Sequence, residues 1–438
     1  MVLVALCLTI VLAASVAAYV AVSARSMELS NRSFCTTASR QLAEIGIDES
    51  LWNLNQALDS FNSGSAYGWS GWTIAGNTAS KQLTGFATNI GIPGSVTVQI
   101  VNFNPQSYNP NDPTTFPVIT ASGTSQMPDG IAITQQLQVK ARPAALFANA
   151  VGAYTSTSFT INWAAALNSY DSSLGDYSTQ TPTDQAIVSA PSVSVNSANV
   201  YGYVATTGSA PTYTSSGTVK RADTPGAVSR DPKYILTNAN QNLFDIRSDA
   251  NLPGTYAGLL LPGTQTLSPA VLSRYQTVDL TLSGSNILTI DGPVIIVASG
   301  NLSIQDTASI VVTSRGTAQI IVAGSTYVGG NGINNTTKLP AKFALISRSS
   351  GSYGNGSYGN LNNYTAAFQT SVPFYGVIYV PLGSLQVYGT TTLYGSLVAN
   401  VMDQGYGTSA IHYDLSLRKA YFSALSTPYD IAQWIVSN

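Results

Sequence analysis

The sequence predicts an α+β, mostly β protein: a long N-terminal hydrophobic then amphipathic helix, a small β domain, and a C-terminal β-solenoid that is parallel β-helix-like. A β-sandwich is the alternative. Three observations lead there. The first 22 residues are almost wholly apolar, a proline-free stretch with helical spacing follows, and short paired apolar positions separated by glycine recur late in the chain. Charged residues make up 9% of the 438, against roughly 25% in soluble domains. Hydrophobic residues reach 44%, so a sizeable core can form. The missing charge is replaced by Ser, Thr, Asn, Gly and Tyr, a mixture that suits strands, turns and uncharged exterior surfaces.

Residues 1–22, MVLVALCLTIVLAASVAAYVAV, contain no charge, glycine or proline. As a helix they extend about 33 Å, enough to cross a bilayer core. A cleaved secretory signal ending near Val22-Ser23-Ala24 is the other reading, but the apolar run is long and no basic n-region precedes it. The helix is expected to continue through residues 23–61. Ile47, Leu51, Leu54, Leu58 and Phe61 form one apolar seam, Phe34, Ala38, Leu42 and Ile45 a second, and a bend is expected at Gly46 between them. On that helix Cys7 and Cys35 lie roughly 42 Å apart, whereas a disulfide needs Cα atoms within about 7 Å. They cannot pair within one chain.

The segment Met27-Glu28-Leu29-Ser30-Asn31-Arg32-Ser33, followed by Leu42-Ala43-Glu44-Ile45-Gly46-Ile47-Asp48-Glu49-Ser50-Leu51-Trp52, resembles the N-terminal region of PilX-type pilus assembly proteins. The resemblance implies a helix like that of type IV pilins, seated in the inner membrane or packed into a fibre. Implied partners are the lipid bilayer, through residues 1–22, and other pilin-like subunits or pilus assembly proteins. The implied localisation is a single-pass inner-membrane protein with its bulk outside the cytoplasm, or the bacterial cell surface or pilus fibre. Two features differ from type IV pilins: no basic leader ending in Gly precedes the helix, and Ala5 stands where many have Glu. The chain is therefore expected either to start inside a leader or to stay anchored.

Residues 62–142 read as a small β-rich domain, with alternating runs such as Ser95–Ile100 and Ile131–Thr134. Residues 143–275 read as a β-rich region that begins the solenoid with long loops. Its "nSYDSs" segment, Asn168 to Ser173, and its Ala198–Ala205 run again resemble the exterior of PilX-type proteins. Residues 276–415 are the expected solenoid core. Leu280/Leu282, Leu288/Ile290, Val294/Ile296, Leu302/Ile304, Ile310/Val312, Ile320/Val322, Phe343/Leu345, Leu385/Val387 and Leu397/Ala399 recur with intervening glycines. Strands this short bury a core only when stacked. Phe374–Pro381, Tyr394–Ala399 and Ile411-His412-Tyr413-Asp414 resemble the domain that closes these pilus-associated proteins, and 416–438 read as a C-terminal cap.

Chemistry-bearing residues are few, and no catalytic, cofactor-binding or metal site is expected. The lone histidine, His412, precludes a histidine-based zinc cluster. Beside Tyr413 and Asp414 it could transfer protons, or simply end a strand. Asp171 and Asp176 lie in Ser-rich contexts typical of Asx turns. A β-helix carbohydrate-active enzyme would need converging carboxylates, with Asp279, Asp291, Asp306 and Asp403 as candidates, but these share no common position in the repeat. Gly354-Asn355-Gly356-Ser357-Tyr358-Gly359 matches a dinucleotide fingerprint without the helix or acid that it requires. Tyr353, Tyr358 and Tyr364 could bind a glycan or surface ligand. A net charge of −2 gives no grip on nucleic acid. The expectation is a structural, non-catalytic cell-surface protein, with a glycan-binding adhesin as the alternative.

Overall fold

The computed structural model describes residues 2–63, 69–87, 93–103, 113–143, 146–155, 159–161, 166–221, 229–238, 256–259, 263–350, 364–370, 372–387, 391–404, 410–420, 422 and 429–435. The chain forms two compact units, Met1–Ala144 with Pro428–Asn438, and Ala145–Thr427.

The first unit pairs one helix with one antiparallel sheet. Helix α1 runs unbroken from Val2 to Ser63. The sheet contains β1 (Thr73–Ala75), β2 (Thr78–Ala87), β3 (Pro93–Val101), β4 (Val118–Gln126) and β5 (Ala132–Pro143) in sequence order, and the C-terminal strand Tyr429–Ile435 pairs beyond β5. Alternation decides which face is covered. Val96, Val98, Ile100, Ile119, Ala121, Val139 and Ala141 are buried with Leu42, Ile47 and Leu54 of the helix. The other face carries cross-strand polar pairs such as Thr124 with Thr134 and Gln138 with Thr120.

The inward helix stripe differs from the expected seams. It runs through Cys35, Ala38 and Ser39, Leu42 and Ala43, Gly46 and Ile47, Ser50, then Asn53 and Leu54, while Phe34 and Ile45 are exposed. The reason is spacing: helix and sheet approach so closely that small side chains must face inward. A Cβ on Gly46 would lie 2.6 Å from Val96 Cγ1, and one on Gly123 would lie 2.1 Å from the Ser39 carbonyl oxygen. Gly46 therefore serves close approach, and the helical run continues through it. The side chains of Leu58 and Phe61 lie outside the described residues.

The segment read as a cap is divided between the units. Leu415–Lys419 is a short 3-10 helix of the second unit, whereas Tyr429–Ile435 completes the sheet of the first. Asn55 on α1 fastens that strand, accepting from the Tyr429 N–H at 2.6 Å and donating to the Tyr429 carbonyl at 3.4 Å.

Among the described residues of the second unit, every pairing between the strands is parallel, unlike an antiparallel β-sandwich. Between Gln265 and Val387 the strands fall into three ladders. One contains Ser273–Thr277, Pro293–Ala298, Thr317–Val322, Phe343–Ser347 and Phe374–Val387. Another contains Leu280–Leu282, Leu302–Ile304, Thr326–Val328 and Ala366–Phe368. The third contains Gln265–Leu267, Ile287–Ile290, Ser309–Val312 and Ile333–Asn335. The chain visits the three in rotation. Phe374–Val387 is long enough to pair in two of them. All the paired apolar positions named above are buried in one continuous core. Parallel sheets are normally covered on both faces; accordingly Leu302–Ile304, Thr326–Val328 and Ala366–Phe368 are buried at every residue.

Among the described residues, spatial order departs from sequence order where late strands meet early ones. Leu393–Gln404 pairs with the much earlier Val151–Ala153, and Ile411–Asp414 pairs with Ala166–Tyr170. The ladder then continues through Ala186–Ser189, Asn199–Ala205 and Ile235–Leu236. The unit's early and late strands thus meet at an internal seam.

Candidate functional site

Two features carry functional information: the uncovered surface of α1 and the seam. The apolar side chains of Val2 to Val22 are exposed, Leu3 at 75% and Val22 at 67%. This helix is long and apolar enough to cross a membrane. Further along, Met27, Phe34, Ile45 and Trp52 are also exposed. Their spacings of 7, 11 and 7 place them on one line, about a third of a turn from the face that packs on the sheet. The same spacing is present in the sequence, where Phe34 and Ile45 fall in the expected second seam. Near the far end of the packed segment, Glu49 accepts from Lys81 Nζ at 2.7 Å and from Asn53 Nδ2 at 3.0 Å. The lysine hydrogen bond holds the Glu49 carboxyl below its usual range.

The seam gathers residues that the sequence reading had kept apart. Tyr375 lies opposite Tyr394, Tyr394 opposite His412, and His412 opposite Asn168 on successive parallel strands. In-register parallel pairing stacks side chains of one column directly over one another. Tyr375 and Tyr394 are parallel, with centroids 4.3 Å apart and planes within 6°. Tyr177 stacks on His412 at 3.9 Å. Asn168 donates to the Tyr177 hydroxyl at 3.0 Å, and its Oδ1 lies 2.7 Å from His412 Nδ1. Since that amide oxygen only accepts, the imidazole hydrogen sits on Nδ1.

Asp414 closes the same seam. Its fully buried carboxylate accepts from the Ser172 N–H (2.9 Å) and hydroxyl (2.7 Å) and from the Ser416 N–H (3.1 Å) and hydroxyl (2.6 Å). Tyr413 donates to the Phe147 carbonyl at 2.8 Å. The two stretches that resemble family motifs, Asn168–Ser173 and Ile411–Asp414, are therefore halves of one clasp. Asp171 and Asp176 cap short 3-10 turns through Ser173 N and Ser178 N, as expected of Asx turns. Asp176 also pairs with Lys338, whose hydrogen bond lowers its pKa.

Burial sets the electrostatics of the cluster. It pushes His412 down to about 4, so the imidazole is neutral near pH 7. It raises Tyr170 and Tyr375, and pushes Tyr394 up to about 12. The hydroxyls are neutral, and one of them, Tyr170 Oη, is buried without a hydrogen-bond partner.

Three of the acidic candidates, Asp279, Asp291 and Asp306, each serve a separate turn. Asp279 accepts from Asn301 N at 2.7 Å, and Asn301 in turn accepts from Ser325 N at 2.8 Å. Asp306 accepts from Gly284 N at 2.8 Å. Asp291 bonds Thr313 and Arg315. The strand containing Asp403 pairs with Gln386, but its side chain lies outside the described residues, as do Tyr353, Tyr358 and Gly354–Gly359. Tyr364 is described and half-buried. Among the described residues, no three His, Cys, Asp or Glu side chains gather as metal ligands. Sequence reasoning missed Tyr177, Tyr375, Tyr394 and Asn168 as partners. The usable signal was the repeated Tyr-Gly at 375–376 and 394–395, which the register places side by side.

A family model described as a domain of unknown function, DUF7305, matches residues 241–420. No curated protein matches the chain. Among solved structures, the crystal structure of the competence-associated pilin ComZ from Thermus thermophilus is similar at 13% identity and a TM-score of 0.32. The match covers 92% of this chain and 97% of that one. The family match falls wholly within the second unit and takes in the late strands of the seam, with Asp414, but not their early partners.

Proposed function

We propose that this chain is a structural, non-catalytic, pilus-associated surface protein, PilX-like and minor-pilin-like, anchored or assembled through its N-terminal helix. One observation carries the reading: α1 leaves an apolar half bare and buries the other half on its own sheet. A helix that is apolar all round needs a lipid or protein environment, whereas a one-sided helix needs only one partner. The stripe Met27, Phe34, Ile45 and Trp52 extends the bare surface beyond the apolar run. The partners are then the bilayer and the helices of pilin-like subunits, with the bulk of the chain outside the cytoplasm.

The second unit is, on this reading, a parallel β-helix that presents a surface. The strict rotation among three ladders and the single core support it. The dispersal of Asp279, Asp291 and Asp306 into separate turns supports a non-catalytic role.

The test is fractionation together with mass spectrometry of the native N-terminus. Co-purification with sheared fibres or with inner-membrane assembly proteins is expected. Recovery only as a soluble secreted species, with a mature start near Arg25, would overturn the reading in favour of a signal sequence.

A further inference from the structure

The Tyr375–Tyr394 pair combines two properties that ordinary surface tyrosines lack. The residues are directly opposed on adjacent parallel strands, and their rings are parallel at 4.3 Å. Both rings are half-buried, so one part of each is held by packing while another part meets solvent. Tyr177 and His412 hold the inner side of Tyr394, at 5.4 and 4.9 Å. Glycine next to each tyrosine keeps the strands close: a Cβ on Gly395 would overlap the Gly376 carbonyl oxygen.

We propose that Tyr375 and Tyr394 form a dityrosine cross-link under one-electron oxidation by a peroxide-driven oxidant, stapling two strands beside the seam. Each phenol loses one electron and one proton to give a phenoxyl radical. The radicals couple through ring carbons ortho to the hydroxyls, and one C–C bond forms. Each coupled carbon then gives up its hydrogen as the ring regains aromaticity and its hydroxyl is restored. The net change is loss of two hydrogens, with the two electrons and two protons reducing one hydrogen peroxide to water. Fixed proximity favours this pair, because the second ring need not diffuse to the first. Both phenols are neutral near pH 7, so each proton leaves with its electron, towards solvent at the exposed edge. The inference is independent of the pilus reading.

The test treats the detergent-solubilised full chain with a peroxidase and hydrogen peroxide. A thermolysin digest is then searched for a peptide pair joined at Tyr375 and Tyr394 and lighter by two hydrogens. The expected product is intramolecular, fluoresces as dityrosine, and falls to the untreated level in Tyr375→Phe and Tyr394→Phe, which keep the stacked rings. Absence of the link, a link mapped to other tyrosines, or an undiminished yield in either variant would overturn the proposal. If a variant fails to fold, the peptide map of the wild-type chain decides alone.

Discussion

The two units solve the problem of low charge by different means. In the first, an antiparallel sheet turns a polar face outward and gives the other to a helix, and the closeness of that contact sets which residues are allowed. In the second, parallel ladders turn alternate apolar side chains into one shared core, and the register sets which residues meet. A helix on a sheet selects for small size at Ser39, Ala43, Gly46 and Gly123. A stacked ladder selects for similarity between neighbouring strands, seen in Tyr375 over Tyr394 and Gly376 next to Gly395.

This contrast can be broken most forcefully at Gly123. Its valine variant puts a side chain into the Ser39 carbonyl and is expected to destabilise the first unit by about 3 kcal/mol or more. Hydrogen exchange should then show loss of protection in β3–β5 with the second unit retained; uniform loss would show that the units do not unfold separately. Asp414→Ala strips four donors at the seam and should cost the second unit about 3 kcal/mol, read as a lower denaturant midpoint.

Acid separates the units next. His412 has a depressed folded pKa, so the unfolded chain binds the proton first. Its contribution is intact above the unfolded value of 6.5 and is lost as pH falls towards about 4. That loss should reach about 3 kcal/mol and flatten in His412→Gln, measured by denaturation at several pH values. Glu49 follows the same sign at lower pH, because its carboxyl is held below the usual range. Asn55→Ala should cost about 1 kcal/mol, with exchange rising first in the C-terminal strand. Smallest is Glu49→Gln, at roughly 0.5 kcal/mol for a partly exposed ion pair, visible as a weaker acid dependence of the first unit.

Much of the architecture was legible because it is periodic. The apolar run to Val22 and the paired positions from Leu280 to Ala399 are local patterns; the first forms a bare helix and the second is buried. The rotation of α1 was misread because hydrophobicity ranks Phe34 and Ile45 above Ser39, Ala43 and Gly46, whereas close packing favours the smaller set. The seam was illegible for another reason. Pairing of His412 with Asn168, or of Tyr429 with Pro143, joins residues far apart in sequence, and no local signal encodes such a partnership. The Asx turns at Asp171 and Asp176 are the opposite case, with acceptor and donor two residues apart.

The pairing of Tyr429 with Pro143 also sets a timetable. Ribosomal synthesis delivers β5 early, but its outer neighbour only after the whole of Ala145–Thr427 has been made. At about 5–20 residues per second, those roughly 280 residues take on the order of 15–60 s. Through that interval the outer edge of β5 has no Tyr429–Ile435 to pair with, and Ala166–Tyr170 likewise waits for Ile411–Asp414. Nascent chains of this protein therefore keep these strand edges without their native neighbours for longer than a protein whose neighbouring strands are consecutive.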